Sequence, residues 1–271
     1  MRTPPLLRRG AVERLAQLDA LLETAYGTPK AELSDKDDPL AAACYIILSF
    51  QTDLPRFIST WSRLRAADPT WDELERAPAR EIARVLREGG LRWQKAQTIR
   101  RLLLKVRRVA DELSLDLLRA MNDADDERLL MRLPGLSWKG SRCILLYSLR
   151  RDVFPVDDNT VRIPKRTGIL SRPAVYRRRM LHDALQAAVP APRRRALHMN
   201  LVVHGQRTCL PRLPQCPRGP LLTTCPKVGL RAGAKEHMPA FLTTPANARA
   251  VVAGANKCTT MGSQEGRQSW R

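Results

Sequence analysis

The sequence predicts an all-α protein built from many short helices. Apolar residues recur at helical spacing along most of the chain, whereas no segment shows the alternation expected of a strand. Aromatic residues make up only 5% of the 271 residues, which argues against a β-rich architecture. A chain of this length can form one large domain or two lobes that share a core.

Each predicted helix has its own start or stop signal. Residues 11–27 carry leucines at helical spacing and end at Gly27. The next helix has Asp38 as its N-cap and Pro39 at its first position, and its apolar run predicts burial. Further helices are predicted over residues 55–68, 70–77, 79–90, 94–113, 123–133 and 138–151. Beyond residue 151 the chain is helical again and rich in arginine.

The charge balance points to a polyanionic partner. The 47 Lys and Arg residues against 27 Asp and Glu give a formal net charge of +20. Nucleic acid is the first candidate and an anionic membrane surface the second, while a merely solvated basic face is the alternative. No apolar run approaches the ~18 residues of a membrane span, so a membrane protein is not expected.

The chain is expected to work in a reducing, intracellular setting. Its first ten residues are basic but lack the apolar segment of a secretory signal. Cys44 and Cys143 lie in apolar helical stretches, where buried thiols are common. If the source is prokaryotic, we expect a cytoplasmic, nucleoid-associated protein.

The segment LPGLS separates two predicted helices and forms a helix-hairpin-helix pattern. Gly135 can adopt backbone angles that other residues avoid, and the helix that follows offers free N–H groups to a phosphate. Lys139 lies in the first turn of that helix, where the helix dipole is expected to lower its pKa. A partly neutral amine can attack carbon and form a Schiff base. The alternative is an ordinary solvated lysine.

A carboxylate follows eighteen residues later, in PVDDNTVR. Asp157 could take a proton from the amine or stabilise positive charge on a sugar. It could also be a helix N-cap, a common role for aspartate.

Together these motifs resemble the helix-hairpin-helix DNA glycosylases of the endonuclease III family. The family pattern is Leu-Pro-Gly-x-Gly-x-Lys, then Val-Asp about eighteen residues later, then two arginines and a glycine. The matching positions here are Leu133, Pro134, Gly135, Lys139, Val156, Asp157, Arg162, Arg166 and Gly168. The resemblance runs from about residue 38 to about 226.

The resemblance implies a bifunctional DNA glycosylase and AP lyase that acts, as a monomer, on double-stranded DNA with a damaged base or an abasic site. Lys139 would be the nucleophile and Asp157 its catalytic partner. The adenine-mismatch branch usually has serine in place of the lysine, so Lys139 indicates the bifunctional chemistry. Gln51 would fill the gap left by the flipped base and Leu91 would contact the opposite strand. The hairpin positions Gly135 and Ser137 would bind DNA together with Arg162 and Arg166.

An oxidised pyrimidine is the substrate favoured by this resemblance. Two alternatives remain open, namely a catalytically weak DNA-binding protein and a glycosylase for another base such as 5-methylcytosine. The segment SWKGSRCILLYSLRRDVFPVD is also similar to the 5-methylcytosine glycosylases.

The resemblance also implies a two-lobed fold. Residues 37–150 would form a six-helix lobe with the helix-hairpin-helix. Residues 1–36 and 151–228 would form a second helical lobe with the cysteine-containing loop. Residues 229–271 are small, polar and weakly patterned, which predicts a disordered tail.

Two positions depart from the family pattern. Ser137 replaces the second hairpin glycine, and a serine takes a left-handed conformation only at some cost. Asp158 adds negative charge where DNA would approach, and the sequence assigns it no role.

The cysteine set is incomplete. Cluster-bearing family members carry four cysteines that bind a 4Fe–4S cluster. Here Cys209, Cys216 and Cys225 keep the spacing, but Gly219 stands at the third ligand position. Three interpretations remain: a lost cluster, a cluster with an open corner or a foreign ligand such as Cys258, and a zinc site that uses His204.

Overall fold

The computed structural model describes residues 6–27, 37–68, 70–171, 174 and 178–230. Within these ranges the fold is all-α, as predicted, and the β-structure is limited to one antiparallel bridge between Leu7 and Leu170. The predicted disordered tail lies outside the described residues from position 231 onward, as does Cys258. No helix in the described ranges is long and apolar enough to cross a membrane.

The helices follow the predicted order. They are α1 (Ala11–Tyr26), α2 (Pro39–Ser49), α3 (Leu54–Ala67), α4 (Asp72–Arg76), α5 (Ala79–Val85), α6 (Arg92–Ala110), α7 (Asp123–Met131), α8 (Trp138–Tyr147), α9 (Asp158–Arg166), α10 (Arg179–Ala188) and α11 (Arg194–Arg207). Three short 3-10 segments cover Asp116–Ala120, Ala191–Arg193 and Cys216–Arg218.

The buried apolar side chains form two separate cores. The first joins α2 to α8 and extends from Leu40 to Val153. The second joins α1 to α9, α10 and α11. It contains residues of α1 and then residues from Phe154 onward. We call these the first and second lobe. The change of core between residues 153 and 154 lies close to the boundary predicted at 150.

Helix α2 is the centre of the first lobe. All its residues from Pro39 to Leu48 are buried, because the segment is apolar all around rather than on one stripe. The Asp38 carboxylate accepts hydrogen bonds from the backbone N–H groups of Leu40 and Ala41, both at 2.9 Å. The predicted cap is therefore confirmed.

A buried arginine connects the two lobes. The Arg142 side chain on α8 is 3% exposed and donates to Glu127 of α7 at 2.5 Å and to Asp183 of α10 at 2.7 Å. A charge buried this deeply requires such partners, because leaving it unpaired costs several kcal/mol. This ion-pair network fixes α8 relative to the second lobe.

Candidate active site

The hairpin between α7 and α8 depends on a glycine. Gly135 has a φ of +84°, and a Cβ added there would lie 2.4 Å from the Thr98 Cγ2 atom and 3.0 Å from Ile47 Cδ1. Both the backbone angle and the close approach to α2 and α6 exclude a side chain. The turn thereby holds the N-terminus of α8 at the protein surface.

We expect Gly135→Ala to destabilise the protein by about 2–4 kcal/mol, because left-handed strain and overpacking act together. Urea unfolding would measure this loss. Gly27→Ala is the matched control, since Gly27 also has a positive φ of 58° but nothing within 4 Å of an added Cβ. Equal losses in the two variants would contradict the packing argument.

Ser137 avoids the conformational strain anticipated from the sequence. Its φ of −129° and ψ of 172° are extended, and its hydroxyl accepts the Gly140 backbone N–H at 3.4 Å. Ser137 is the N-cap of α8, a position where serine is favoured. The expected left-handed serine is therefore wrong, and the hairpin closes without a second glycine.

Lys139 and Asp157 meet at the start of two neighbouring helices. The Lys139 Nζ atom lies 3.7 Å from Asp157 Oδ2, with the lysine side chain 42% exposed and the aspartate 10% exposed. Asp157 Oδ1 accepts the backbone N–H groups of Asn159 and Thr160 at 2.9 Å. One carboxylate oxygen thus caps α9 while the other faces the amine, so the capping and catalytic interpretations are compatible.

The electrostatics of Lys139 differ from the sequence-based expectation. Burial of the amine acts to lower its pKa, but its interactions with Cys143, Asp157 and Asp158 outweigh this, so the pKa is raised. Burial also raises the pKa of the Cys143 thiol to about 12, which leaves the two aspartates as the negative groups at neutral pH. The expected lowering of the Lys139 pKa by the helix dipole is therefore wrong. Asp158, which the sequence left without a role, contributes to this effect.

Asp157 is held in its charged form. Burial acts to raise its pKa, but the Lys139 ammonium, His198 and the two capping N–H groups lower it, and the net pKa lies below its ordinary value. Burial lowers the pKa of His198 to about 4, so this histidine carries no charge at neutral pH. Before substrate binds, the pair is therefore an ammonium and a carboxylate.

The pair opens into a cleft of about 780 Å³. A cleft of this size accommodates a nucleoside. It is lined by Phe50, Gln51, Ser137, Trp138, Lys139, Asp157, Asp158, Asn159 and His182. These residues come from both lobes, so the cleft lies where the lobes meet.

Gln51 and Leu91 lie in two adjacent loops with unusual backbone angles. Their φ values are +49° and +59°, and Leu91 is 44% exposed. A Cβ at Gly90 would lie 3.2 Å from the Gln51 carbonyl oxygen, so the two loops contact each other. Left-handed non-glycine residues cost stability and cluster at functional sites. The position of both residues is compatible with the predicted contacts to DNA.

Arg162 and Arg166, which are predicted to bind DNA, make hydrogen bonds within the protein. Arg162 donates to the carbonyl oxygens of Cys209 and Gly205 at 2.9 and 3.1 Å. Arg166, which is 9% exposed, donates to the carbonyl oxygen of Leu210 at 2.7 Å and to the Cys209 Sγ at 3.1 Å. Their guanidinium groups organise the segment that carries the cysteines, and their role in DNA binding stays a prediction.

The described cysteine segment supplies three of the four thiols that a 4Fe–4S cluster needs. Cys209, Cys216 and Cys225 line a cavity of only about 20 Å³. At Gly219, an added Cβ would lie 2.5 Å from Thr208 Cγ2, so a fourth cysteine has no room there. Within the described ranges, no group of three or more His, Cys, Asp or Glu side chains is arranged to hold a metal ion.

Sequence reasoning missed two residues that support the site. Asn159 Nδ2 lies 3.4 Å from Asp157 Oδ2, and its Oδ1 accepts from Arg162 at 2.7 Å. His198 on α11 is buried and its Nδ1 hydrogen-bonds the Tyr147 hydroxyl at 2.8 Å. Neither has a sequence signal. His198 lies 41 residues after Asp157 in the chain, and an asparagine after an aspartate, as at Asn159, is common.

Two lobes, a helix-hairpin-helix and a lysine–aspartate pair at the mouth of a cleft define the class of fold, that of the helix-hairpin-helix DNA glycosylases. The fold matches a trapped endonuclease III–DNA covalent intermediate with a TM-score of 0.69 and 20% identity, over 80% of this chain and 96% of that one. It also matches a thermostable thymine-DNA glycosylase with a TM-score of 0.68 and 18% identity, over 80% and 98% of the two chains. The fold expected from the resemblance is confirmed.

Sequence relatives come from plants. An Arabidopsis thaliana protein whose name provisionally assigns it as a DNA glycosylase is 26% identical over 173 residues, which cover 64% of this chain and 58% of that protein. Protein ROS1A of Oryza sativa is 31% identical over 98 residues, covering 36% of this chain and 5% of the relative. This chain thus spans little more than half of the first relative and a small part of the second. No family model matches the sequence.

Proposed function

We propose that this protein is a base-excision DNA glycosylase with AP-lyase activity, and that its substrate is a damaged, oxidised pyrimidine in duplex DNA. The observation that carries this proposal is the Lys139–Asp157 pair, 3.7 Å apart at the mouth of a nucleoside-sized cleft. A solvated lysine would not need a nearly buried carboxylate opposite it. The net charge of +20 supports a polyanionic partner.

In the proposed reaction, Lys139 and Asp157 act in a fixed order of steps. The damaged nucleotide leaves the base stack and enters the cleft. Because Lys139 starts as an ammonium, its proton must pass to Asp157 or to water before its nitrogen attacks C1′ and the base departs. The nitrogen lone pair then forms a C=N bond to C1′ as the bond from C1′ to the ring oxygen breaks, and that oxygen takes up a proton from Asp157 or water. The product is a Schiff base on Lys139. Removal of a C2′ proton expels the 3′ phosphate by β-elimination.

The cysteine segment has no part in this chemistry. Arg162 and Arg166 tie it to α9, whose N-cap is Asp157. Its influence on the reaction is therefore positional.

A second candidate function is the removal of 5-methylcytosine. The similarity of residues 137–157 to the glycosylases for that base favours it. The same lysine and aspartate would act, and only the contacts to the base would differ. A panel of duplexes with thymine glycol, 5-methylcytosine or an abasic site separates the two functions.

Borohydride trapping tests the proposal. The full-length protein is mixed with duplexes that carry one abasic site or one thymine glycol, and borohydride is added to reduce any Schiff base. We expect a covalent protein–DNA band with both. Binding without a band on either substrate would favour the catalytically weak DNA-binding protein.

We expect Leu91→Ala to slow excision from duplex DNA without changing stability. An exposed side chain contributes little to folding, so the free energy of unfolding should change by no more than about 0.5 kcal/mol. Val109→Ala is the matched control, because Val109 is a 40% exposed apolar residue at the other end of α6. Single-turnover assays that show equal rates for both variants would remove Leu91 from the DNA interface.

A further inference from the structure

We infer that Trp138 forms the stacking wall for the flipped base and thereby sets the preference of the enzyme among lesions. This inference rests on the proposed glycosylase function and deepens it. Trp138 is the first residue of α8, directly before Lys139, and its side chain lines the same cleft. A base attached to the sugar that Lys139 attacks must lie within a few ångströms of this position.

The indole is held on one side by the protein. The Arg179 guanidinium lies over the Trp138 ring, 5.2 Å from its centroid. Arg179 is paired with Asp183 at 3.3 Å, and Asp183 accepts from the buried Arg142 at 2.7 Å. This chain of contacts, which runs from α10 to α8, fixes the ring before substrate arrives. A cation over the face of an indole is attracted to it, which stabilises this position of the ring.

Part of the Trp138 side chain is open to the cleft. Trp138 is half-buried, and the surface it contributes to the cleft faces a volume of about 780 Å³. Enzymes that flip bases hold them by stacking on aromatic or apolar side chains. An oxidised, non-planar pyrimidine and a planar one would stack differently on a rigid indole, so this wall would discriminate between them.

The test compares two substrates that differ only in the base. An abasic site has no base to stack, so strand cleavage there requires Lys139 and Asp157 but not the wall. We expect Trp138→Ala to slow single-turnover excision of thymine glycol roughly 5- to 100-fold, the loss of one stacking interaction. Cleavage at an abasic site should stay within about threefold, and Trp138→Phe should keep most of the excision rate.

Trp93→Ala is the matched control, because Trp93 is 51% exposed and does not line the cleft. It should affect both substrates alike. Equal losses on both substrates in Trp138→Ala would show that the residue positions the hairpin, and unchanged rates on both would show that the base lies elsewhere. Either result overturns the inference. If the proposed glycosylase function is wrong, the unmodified protein will cleave neither substrate, which distinguishes this case from the two above. That result would also overturn the inference about Trp138.

Discussion

Lys139→Ala is expected to abolish the borohydride-trapped adduct while leaving binding to abasic DNA within roughly fivefold of the unmodified protein. The trapped species requires a primary amine at this position, and no other group in the pair can form a Schiff base. Binding depends on many basic residues, and one half-exposed cation contributes about 1 kcal/mol or less. Gel analysis of the adduct and fluorescence anisotropy of labelled DNA measure the two quantities.

The control for this variant is Lys105→Ala. Lys105 is an exposed lysine on α6, so its removal lowers the net charge equally but leaves the cleft intact. It should give the full amount of adduct. An adduct that survives in Lys139→Ala would assign the nucleophile to another amine and end the proposed role of the hairpin lysine.

Asp157→Asn is expected to lower the single-turnover rate roughly 10²- to 10⁴-fold, the usual contribution of a general acid or base. Asparagine caps helices about as well as aspartate, so α9 should keep its N-terminus. The amide cannot accept the proton of the Lys139 ammonium. Single-turnover kinetics measure the rate, and thermal unfolding reports on the cap.

Asp38→Asn is the corresponding control. Asp38 caps α2 with the same geometry, two backbone N–H groups at 2.9 Å, but lies outside the cleft. Its replacement should change neither the rate nor the adduct. If Asp157→Asn retains full activity, the carboxylate serves only as a cap. If Asp157→Asn and Asp38→Asn lower the unfolding temperature equally and also lower the single-turnover rate equally, the loss of activity is structural.

The Arg162–Asn159 hydrogen bond connects the cysteine segment to the candidate active site. Gly205 allows it, because a Cβ there would lie 2.2 Å from the Asn159 Oδ1 atom. Helix α11 can therefore approach α9 closely, and Arg162 reaches from the Cys209 carbonyl to the amide beside Asp157. Hydrogen bonds from Arg162 and Arg166 hold the segment against α9.

The sequence by itself determined the order of the helices, because caps and breakers such as Asp38, Pro39 and Gly135 act locally. Its resemblance to a known family pattern also predicted the two central residues of the candidate site, Lys139 and Asp157. Their protonation could not be predicted in the same way. The helix dipole is a local effect, whereas Asp157 and Asp158 approach the amine only after folding. Together with Cys143 they reverse the expected shift of the Lys139 pKa.

Tertiary structure alone decided the hydrogen-bond partners of two arginines and what surrounds the cleft. The fold places the guanidinium groups of Arg162 and Arg166 against backbone carbonyls more than 40 residues away. Trp138 and Arg179 are likewise distant in the chain and meet only through the packing of α10 on α8. Local signals are limited to a few residues, whereas burial and long-range contacts depend on the whole fold.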